Sequence, residues 1–185
     1  MTVRGTGGTP PTPDDLAARV YACAHLIGEF RLRSGAYSTE YFDKYRFEAD
    51  PVLLREIAER MAGMLPDGVD VLAGLELGGV PLATMLSQVT GLPATFVRKQ
   101  AKTYGTCRLA EGADVTGRRL VVVEDVITSG GQVLASCAEL CALGAAVVRV
   151  LCVIDREQGG RERLHEAGLE LDALFTMGAL KTACT

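Results

Sequence analysis

The chain has 185 residues, of which 48 % are hydrophobic and 23 % charged, and its formal net charge is −4. This length favours one domain with a sizeable core over two domains. The acidic balance argues against a general nucleic-acid binder, and no apolar run approaches the ~20 residues that a membrane helix requires. We therefore expect a protein whose partners are small molecules, with no nucleic acid and no membrane among them.

The N-terminal segment differs in composition from the rest of the chain. Residues 1–13 are rich in Gly, Thr and Pro and lack the apolar core of a secretory signal, so we expect a disordered tail. The remaining residues, 14–185, are expected to form a single domain. Within it, apolar residues at helical spacing predict an amphipathic helix from Asp14 to Ile27. The aromatic and polar stretch from Phe30 to Phe47 predicts irregular structure.

Predicted strands and helices alternate through the rest of the chain. Asp50 and Pro51 are typical of a helix start, and Gly91 is typical of a helix end. This alternation predicts an α/β fold with a mostly parallel sheet. The predicted strands are 69–75, 94–97, 120–123, 146–154 and about 171–175, and the predicted helices include 51–64, 80–89 and about 161–167.

One long segment shows no regular pattern. Lys99 to Gly117 is polar and charged, with little helical or strand periodicity. A structureless loop of this length inside a compact domain is usually functional and often acts as a lid. We therefore expect a mobile loop with a role in the protein's chemistry.

The segment from Arg119 to Gln132 is the most informative part of the sequence. An apolar, largely β-branched strand is followed by Glu124 and Asp125, then by the hydroxyl- and glycine-rich turn 128–131, then by a helical pattern. Unpaired N–H groups at a helix start suit a phosphate, and two carboxylates suit the hydroxyls of a sugar or a metal. The segment therefore predicts a site for a phosphorylated ribose at the carboxyl end of this strand.

Two common nucleotide motifs fit this segment less well. A P-loop requires a Gly-Lys-Ser/Thr ending, and the turn contains no lysine; the dinucleotide fingerprint Gly-x-Gly-x-x-Gly is also missing. The order of residues instead resembles the signature of the type I phosphoribosyltransferases, which use phosphoribosyl pyrophosphate (PRPP). This resemblance implies a mostly parallel central sheet flanked by helices, with a small N-terminal hood (about residues 14–47) and a mobile catalytic loop.

A basic cluster narrows the resemblance further. Arg98, Lys99, Lys102, Gly105 and the pair Glu111-Gly112 match an Arg-Lys-x-x-Lys-x-His-Gly pattern and a following Glu-Gly pair. This pattern is similar to the catalytic loop of the orotate phosphoribosyltransferases. The chain departs from the pattern at Tyr104, where many members have His.

Three further segments are similar to elements of the same family. Leu32-Arg33-Ser34-Gly35 stands where relatives have Leu-Lys-Ser-Gly in the hood, and Asp155-Arg156 opens a segment similar to the family's Asp-Arg-x-x-Gly element. The loop Glu76–Gly79 occupies the place of the pyrophosphate-binding loop, but it lacks the lysine that many relatives carry there. Pyrophosphate binding must then depend more on backbone amides and on the catalytic loop.

The resemblance implies the reaction of orotate with PRPP to give orotidine 5′-monophosphate and pyrophosphate, in de novo pyrimidine synthesis. It implies Mg²⁺ held mainly by substrate oxygens, and a homodimer whose subunits share active sites. The implied catalytic residues are Lys102, Lys99, Arg98 and Asp125. The implied PRPP-binding residues are Arg98, Lys99, Lys102, Tyr104, Glu124, Asp125, Val126, Ile127, Thr128, Ser129, Gly130, Gly131, Gln132, Glu76, Gly78 and Gly79; those for orotate are Thr128, Arg156, Arg33 and Phe42.

Two other functions are compatible with these patterns. The protein could transfer the phosphoribosyl group to another base, or it could be a PRPP-sensing regulator without catalytic activity.

The six cysteines contain no Cys-x-x-Cys pair, so we expect free thiols in a cytoplasmic protein, with Cys137, Cys141 and Cys152 buried.

Overall fold

The computed structural model describes residues 13–31, 35–100 and 109–184. The predicted tail, Arg33, Lys102, Tyr104 and Cys107 lie outside these residues, apart from the last residue assigned to the tail, Pro13, which begins the first helix. The helices are α1 (Pro13–Ala24), α2 (Tyr45–Ala49), α3 (Pro51–Ala62), α4 (Gly79–Thr90), α5 (Gly131–Ala142), α6 (Gly160–Glu166) and α7 (Met177–Thr182). The strands are β1 (His25–Arg31), β2 (Tyr37–Phe42), β3 (Val71–Leu75), β4 (Ala94–Val97), β5 (Ala110–Gly112), β6 (Arg119–Ile127), β7 (Ala146–Asp155) and β8 (Leu171–Thr176). Among the described residues, no helix is long and apolar enough to cross a membrane.

The central sheet has the strand order β5-β4-β3-β6-β7-β8 in the described part of the chain. Neighbouring strands are parallel except for the edge strand β5, which runs antiparallel to its neighbour β4. This architecture confirms the predicted mostly parallel α/β sheet flanked by helices. Because β3 and β6 are central and parallel, their carboxyl ends meet at one edge of the sheet, where ligands of open α/β sheets bind.

Helices cover both faces of this sheet, which explains the continuous apolar run in β6. Successive side chains of a strand point to opposite faces. Val121 and Val123 accordingly pack in the core beneath α1, α3, α4 and α7, while Leu120 and Val122 pack in the core beneath α5 and α6. All four of these side chains are fully buried. Two separate cores, one on each face of the sheet, therefore hold β6 in place, and its carboxyl end lies at the edge described above.

The N-terminal region differs from the prediction. The first helix ends at Ala24, and the chain then forms an antiparallel hairpin of β1 and β2 instead of continuing as helix to Ile27. The apolar spacing of these residues could not separate a strand from the end of the helix. The reason is that β1 is only partly buried and pairs with β2, so it lacks the apolar pattern of a buried strand. The region expected to be irregular thus contains β2 and the first residues of the short helix α2.

Two other predictions are corrected by the structure. The segment 99–117 contains a short strand, β5, whose three residues have little intrinsic strand preference and pair with the edge of β4. Cys137 and Cys152 are buried as predicted, but Cys141 is exposed. At about 100° per residue, Cys141 lies roughly 90° from the centre of the buried face of α5.

Candidate active site

A cavity of about 340 Å³ opens at the carboxyl end of β6. Its floor is the continuous run Val126–Val133, in which β6 passes through a short turn into α5. Gly130 adopts a left-handed conformation with φ 71°, which suits glycine, and helix α5 begins at the next residue. The first turn of α5 therefore directs its unpaired N–H groups and positive dipole end toward the cavity. The cavity is lined by Lys44, Tyr45, Glu76, Leu77, Lys99, Glu124, Val126, Ile127, Thr128, Ser129, Gly130, Gly131, Gln132 and Val133.

The two acids lie inside β6, whereas the sequence predicted that they follow it. Strand pairing with β7 continues from Glu124 to Ile127, so the predicted strand end at Val123 was wrong. Asp125 is fully buried and Glu124 is 9 % exposed. Hydrogen bonds fold both carboxylates back onto the strand: Glu124 Oε1 accepts from the Asp125 N–H, and Asp125 Oδ1 accepts from the Val126 N–H.

Two residues that the sequence did not single out, Lys44 and Glu48, complete a cluster of ionisable groups around Asp125. Lys44 places its Nζ 2.5 Å from Asp125 Oδ2, and the buried carboxyl of Glu48, on α2, lies on the same side. Lys44 belongs to the stretch that looked irregular in sequence, and Glu48 follows directly after that stretch. Their link to β6 is a long-range contact, and only the tertiary fold makes it visible.

The charges in this cluster are tightly coupled. Burial raises the pKa of Glu48 to about 9 and holds the pKa of Glu124 well above its ordinary value, and hydrogen bonding to Asp125 adds to both effects. Burial alone would raise the pKa of Asp125 as well, but hydrogen bonds with Glu124 and Lys44 and the charge of Lys44 lower it. Asp125 is therefore the ionised member of the cluster at neutral pH, with Lys44 as its counter-ion.

Glycines in the loop Glu76–Gly79 allow it to pack against β6. A Cβ on Gly78 would lie 1.5 Å from Asp125 Oδ2, and a Cβ on Gly79 would lie 2.2 Å from the carbonyl oxygen of Val123. No side chain fits in either place. These two glycines thus set the distance between the loop and the acids, a role in addition to the close phosphate approach that the sequence suggested.

We expect Gly79→Ala to lower the free energy of unfolding by about 1–3 kcal/mol, because the added methyl group meets the backbone of the central strand. Chemical denaturation monitored by circular dichroism would measure the change. Gly63→Ala is the matched control: Gly63 has φ −70°, and its Cβ would meet only one backbone oxygen at 3.4 Å. Equal stability of the Gly79 variant and the wild type would contradict the described packing.

The basic segment begins where β4 ends, beside the loop Glu76–Gly79. The Lys99 N–H donates to Glu76 Oε2 at 3.0 Å, and the Glu76 N–H donates to the Val97 carbonyl at 2.8 Å. Lys99 and Glu76 both line the cavity, whereas Arg98 lines an adjoining one with Glu76 and Leu77. The structure thus brings the start of the predicted catalytic loop to the predicted pyrophosphate loop.

A second cavity of about 200 Å³ lies between the hairpin and the end of β7. Of the four residues predicted to bind the base, it contains Phe42 and Arg156, whereas Thr128 lines the first cavity and Arg33 lies outside the described residues. The Arg156 N–H donates to the carbonyl of Ile127, so the two cavities adjoin at the carboxyl ends of β6 and β7. The lining residues are Tyr21, His25, Ser38, Glu40, Tyr41, Phe42, Arg156, Met177 and Lys181.

Arg156 is not paired with its acidic neighbours in sequence. Asp155 pairs with Arg161 at 3.2 Å, and Glu157 accepts a hydrogen bond from the Gly178 N–H at 2.8 Å. Among the described residues, the buried Nε of Arg156 has no hydrogen-bond partner. A buried guanidinium nitrogen without a partner is costly, which favours a role in binding a ligand.

Comparison with known proteins identifies the family of the chain. Residues 47–168 match the family described as phosphoribosyl transferase domain. A protein of Nocardioides sp. named orotate phosphoribosyltransferase is 56 % identical over 168 residues, which cover 91 % of this chain and 94 % of that protein. The crystal structure of Mycobacterium tuberculosis orotate phosphoribosyltransferase with Fe(III) dicitrate has a TM-score of 0.84 and 33 % identity, covering 92 % of this chain and 99 % of that one. The same enzyme in complex with PRPP has a TM-score of 0.80 and 30 % identity, with the same coverage.

The fold, the cavity at the end of β6 and the matched domain together define a phosphoribosyltransferase. Within that class, the chain belongs to the orotate phosphoribosyltransferase family.

Proposed function

We propose that this protein transfers the 5-phosphoribosyl group of PRPP to orotate, which releases pyrophosphate and forms orotidine 5′-monophosphate. The observation that carries the proposal is the cavity at the end of β6, because it combines the turn Thr128–Gly131 with Glu124 and two lysines, Lys44 and Lys99, and Lys44 is paired with the buried Asp125. The backbone of Thr128–Gly131 would hold the 5′-phosphate. Glu124 and Asp125 would accept hydrogen bonds from the ribose hydroxyls.

The reaction needs no covalent intermediate on the enzyme. The anomeric carbon loses pyrophosphate and bonds to the ring nitrogen of orotate through a transition state with ribosyl-cation character. Catalysis then consists of positioning and electrostatic stabilisation. Arg98, Lys99 and Lys102 would neutralise the departing pyrophosphate, Tyr104 would donate a hydrogen bond to it, and closure of the loop would exclude water.

Mg²⁺ fits this site as an ion carried by the substrate. Glu124 lines the cavity and Asp125 is buried beside it, and their carboxyl oxygens are of the kind that Mg²⁺ prefers; the described residues hold no group of three or more acidic, His or Cys side chains suited to a metal. Bound to PRPP, the ion would neutralise diphosphate charge. We also propose a homodimer with shared active sites, as the family resemblance implies. The buried free thiols Cys137 and Cys152 support a cytoplasmic location.

Orotate would bind in the second cavity. Arg156 offers a guanidinium fork to the carboxylate and carbonyls of orotate, and Phe42 offers an aromatic face. Arg33 and Thr128 would complete the contacts from the hood and from the end of β6. In this arrangement, the base would lie next to the anomeric carbon of a ribose bound over β6.

We expect Arg156→Ala to raise the KM for orotate about 10- to 100-fold, because a charge-assisted hydrogen bond is lost. The affinity for PRPP should not change. Steady-state kinetics at saturating PRPP would measure the effect, with Arg118→Ala as the control, since Arg118 is exposed at the opposite end of β6. An unchanged KM for orotate would refute the contact.

The experiment that tests the function measures pyrophosphate release from PRPP and Mg²⁺ with orotate, and in parallel with adenine, guanine, hypoxanthine and uracil. Orotate should be the preferred base by a wide margin. A preference for another base would assign the protein to a different reaction at the same PRPP site. Binding of PRPP without turnover of any base would favour a regulatory protein.

A further inference from the structure

Lys44 stands at the edge of the cavity with its charge directed inward. It is the N-cap residue of α2, its Nζ approaches Asp125 Oδ2 at 2.5 Å, and its side chain is 32 % exposed. Among the described residues that line the cavity, the two cations are Lys44 and Lys99. Asp125 is completely buried, so the ammonium group stands between this acid and the open space of the cavity.

The ammonium group also lies beside the loop Glu76–Gly79. The same oxygen, Asp125 Oδ2, that contacts Lys44 is the nearest atom to a Cβ built on Gly78. Lys44 and the backbone of Gly78 therefore meet at one atom. The four residues of the loop include no cation. A diphosphate that docks on this loop would meet Lys44 as a positive charge supplied from another element of the fold.

We propose that Lys44 is a further substrate-binding residue, which pairs with Asp125 in the free protein and contacts the diphosphate of PRPP with the same ammonium group. This inference rests on the proposed function and deepens it. An ammonium group has three donors, so one can remain on Asp125 while others reach phosphate oxygens. Lys44 would thus link the acid that binds the ribose to the group that leaves it.

If Lys44 only paired with Asp125, it would position that acid and would not contact the diphosphate. The affinities for three ligands distinguish these two roles. PRPP contains both the ribose and the diphosphate. Pyrophosphate contains only the diphosphate, and ribose 5-phosphate contains the ribose without the diphosphate. If Lys44 contacts the diphosphate, its loss weakens the binding of PRPP and pyrophosphate more than that of ribose 5-phosphate. If Lys44 only positions Asp125, its loss weakens PRPP and ribose 5-phosphate to the same extent.

The experiment is calorimetric titration of wild type and Lys44→Met with each ligand in the presence of Mg²⁺. We expect PRPP and pyrophosphate to bind about 10- to 100-fold more weakly to the variant. Ribose 5-phosphate, which lacks the diphosphate, should lose clearly less affinity than PRPP. Lys44→Gln, whose amide can still donate to Asp125, is titrated in parallel and carries the same expectation if the methionine variant does not fold. Arg46→Met is the matched control, because Arg46 is an exposed cation on α2.

Two results would overturn the inference. One is a Lys44 variant that loses affinity for ribose 5-phosphate and for PRPP to the same extent. The other is a Lys44 variant that binds all three ligands as tightly as the wild type, provided that the wild type turns over orotate. A wild type that binds no PRPP would instead refute the proposed function itself. The failure of the inference and the failure of the function are therefore distinguishable.

Discussion

Replacing Lys102 with alanine should lower kcat about 10²- to 10³-fold while the affinity for orotate stays unchanged. A preorganised cation that meets charge developing on a leaving group contributes mainly to the transition state, and its removal costs turnover more than binding. Lys102 itself lies outside the described residues. Lys99, three positions earlier, lines the cavity and donates its N–H to Glu76, so the chain enters the loop beside the proposed pyrophosphate site.

Single-turnover kinetics with saturating PRPP, together with orotate titration, would separate the two quantities. Lys102→Arg tests whether charge alone is sufficient, since a guanidinium keeps the charge but changes its geometry. Arg55→Ala, which removes an exposed cation on α3, controls for net charge. A near-normal turnover rate in Lys102→Ala would contradict the catalytic role assigned to this residue.

Asp125→Asn should weaken PRPP binding about 10- to 100-fold, because a neutral amide is a poorer acceptor for ribose hydroxyls than a carboxylate. The substitution nearly preserves side-chain volume, which matters because Gly78, Lys44 and Glu48 surround the group. It also removes the negative charge that pairs with Lys44 and to which Glu48 and Glu124 are hydrogen-bonded.

Calorimetry with PRPP and Mg²⁺ would measure the affinity, and thermal unfolding would show whether the variant retains the fold. Asp67→Asn is a suitable control, since Asp67 is an exposed aspartate in the turn after α3. An unchanged PRPP affinity in a folded Asp125→Asn protein would refute the ribose contact. A parallel loss of affinity for ribose 5-phosphate is expected, in contrast to the Lys44 variants.

The sequence predicted the part of the site that depends on local structure. The strand β6, its turn and helix α5 are continuous in the chain, so their periodicity and glycines indicate both the elements and the phosphate site. The family and the fold, both inferred from this segment and from the basic cluster, are confirmed by the comparisons. The roles of individual site residues remain predictions.

What the sequence missed depends on contacts between distant segments. Lys44 caps a short helix that contains Glu48 and has no clear periodicity, and only the packing of α2 against the Asp125 side of the sheet reveals their connection to the acids. Strand β5 is three residues long and exists as a partner of β4. The hairpin β1–β2 was mistaken in part for helix because its residues pack on each other more than on the core.

The central claim is that PRPP lies in the cavity at the end of β6, and a crystal structure with PRPP and Mg²⁺ tests it most directly. The account predicts the 5′-phosphate on the backbone N–H groups of Thr128–Gly131, the ribose hydroxyls at Glu124 and Asp125, and the diphosphate beside Glu76–Gly79. An empty cavity in crystals that bind PRPP elsewhere would contradict it, as would a ligand whose phosphate lies away from the start of α5.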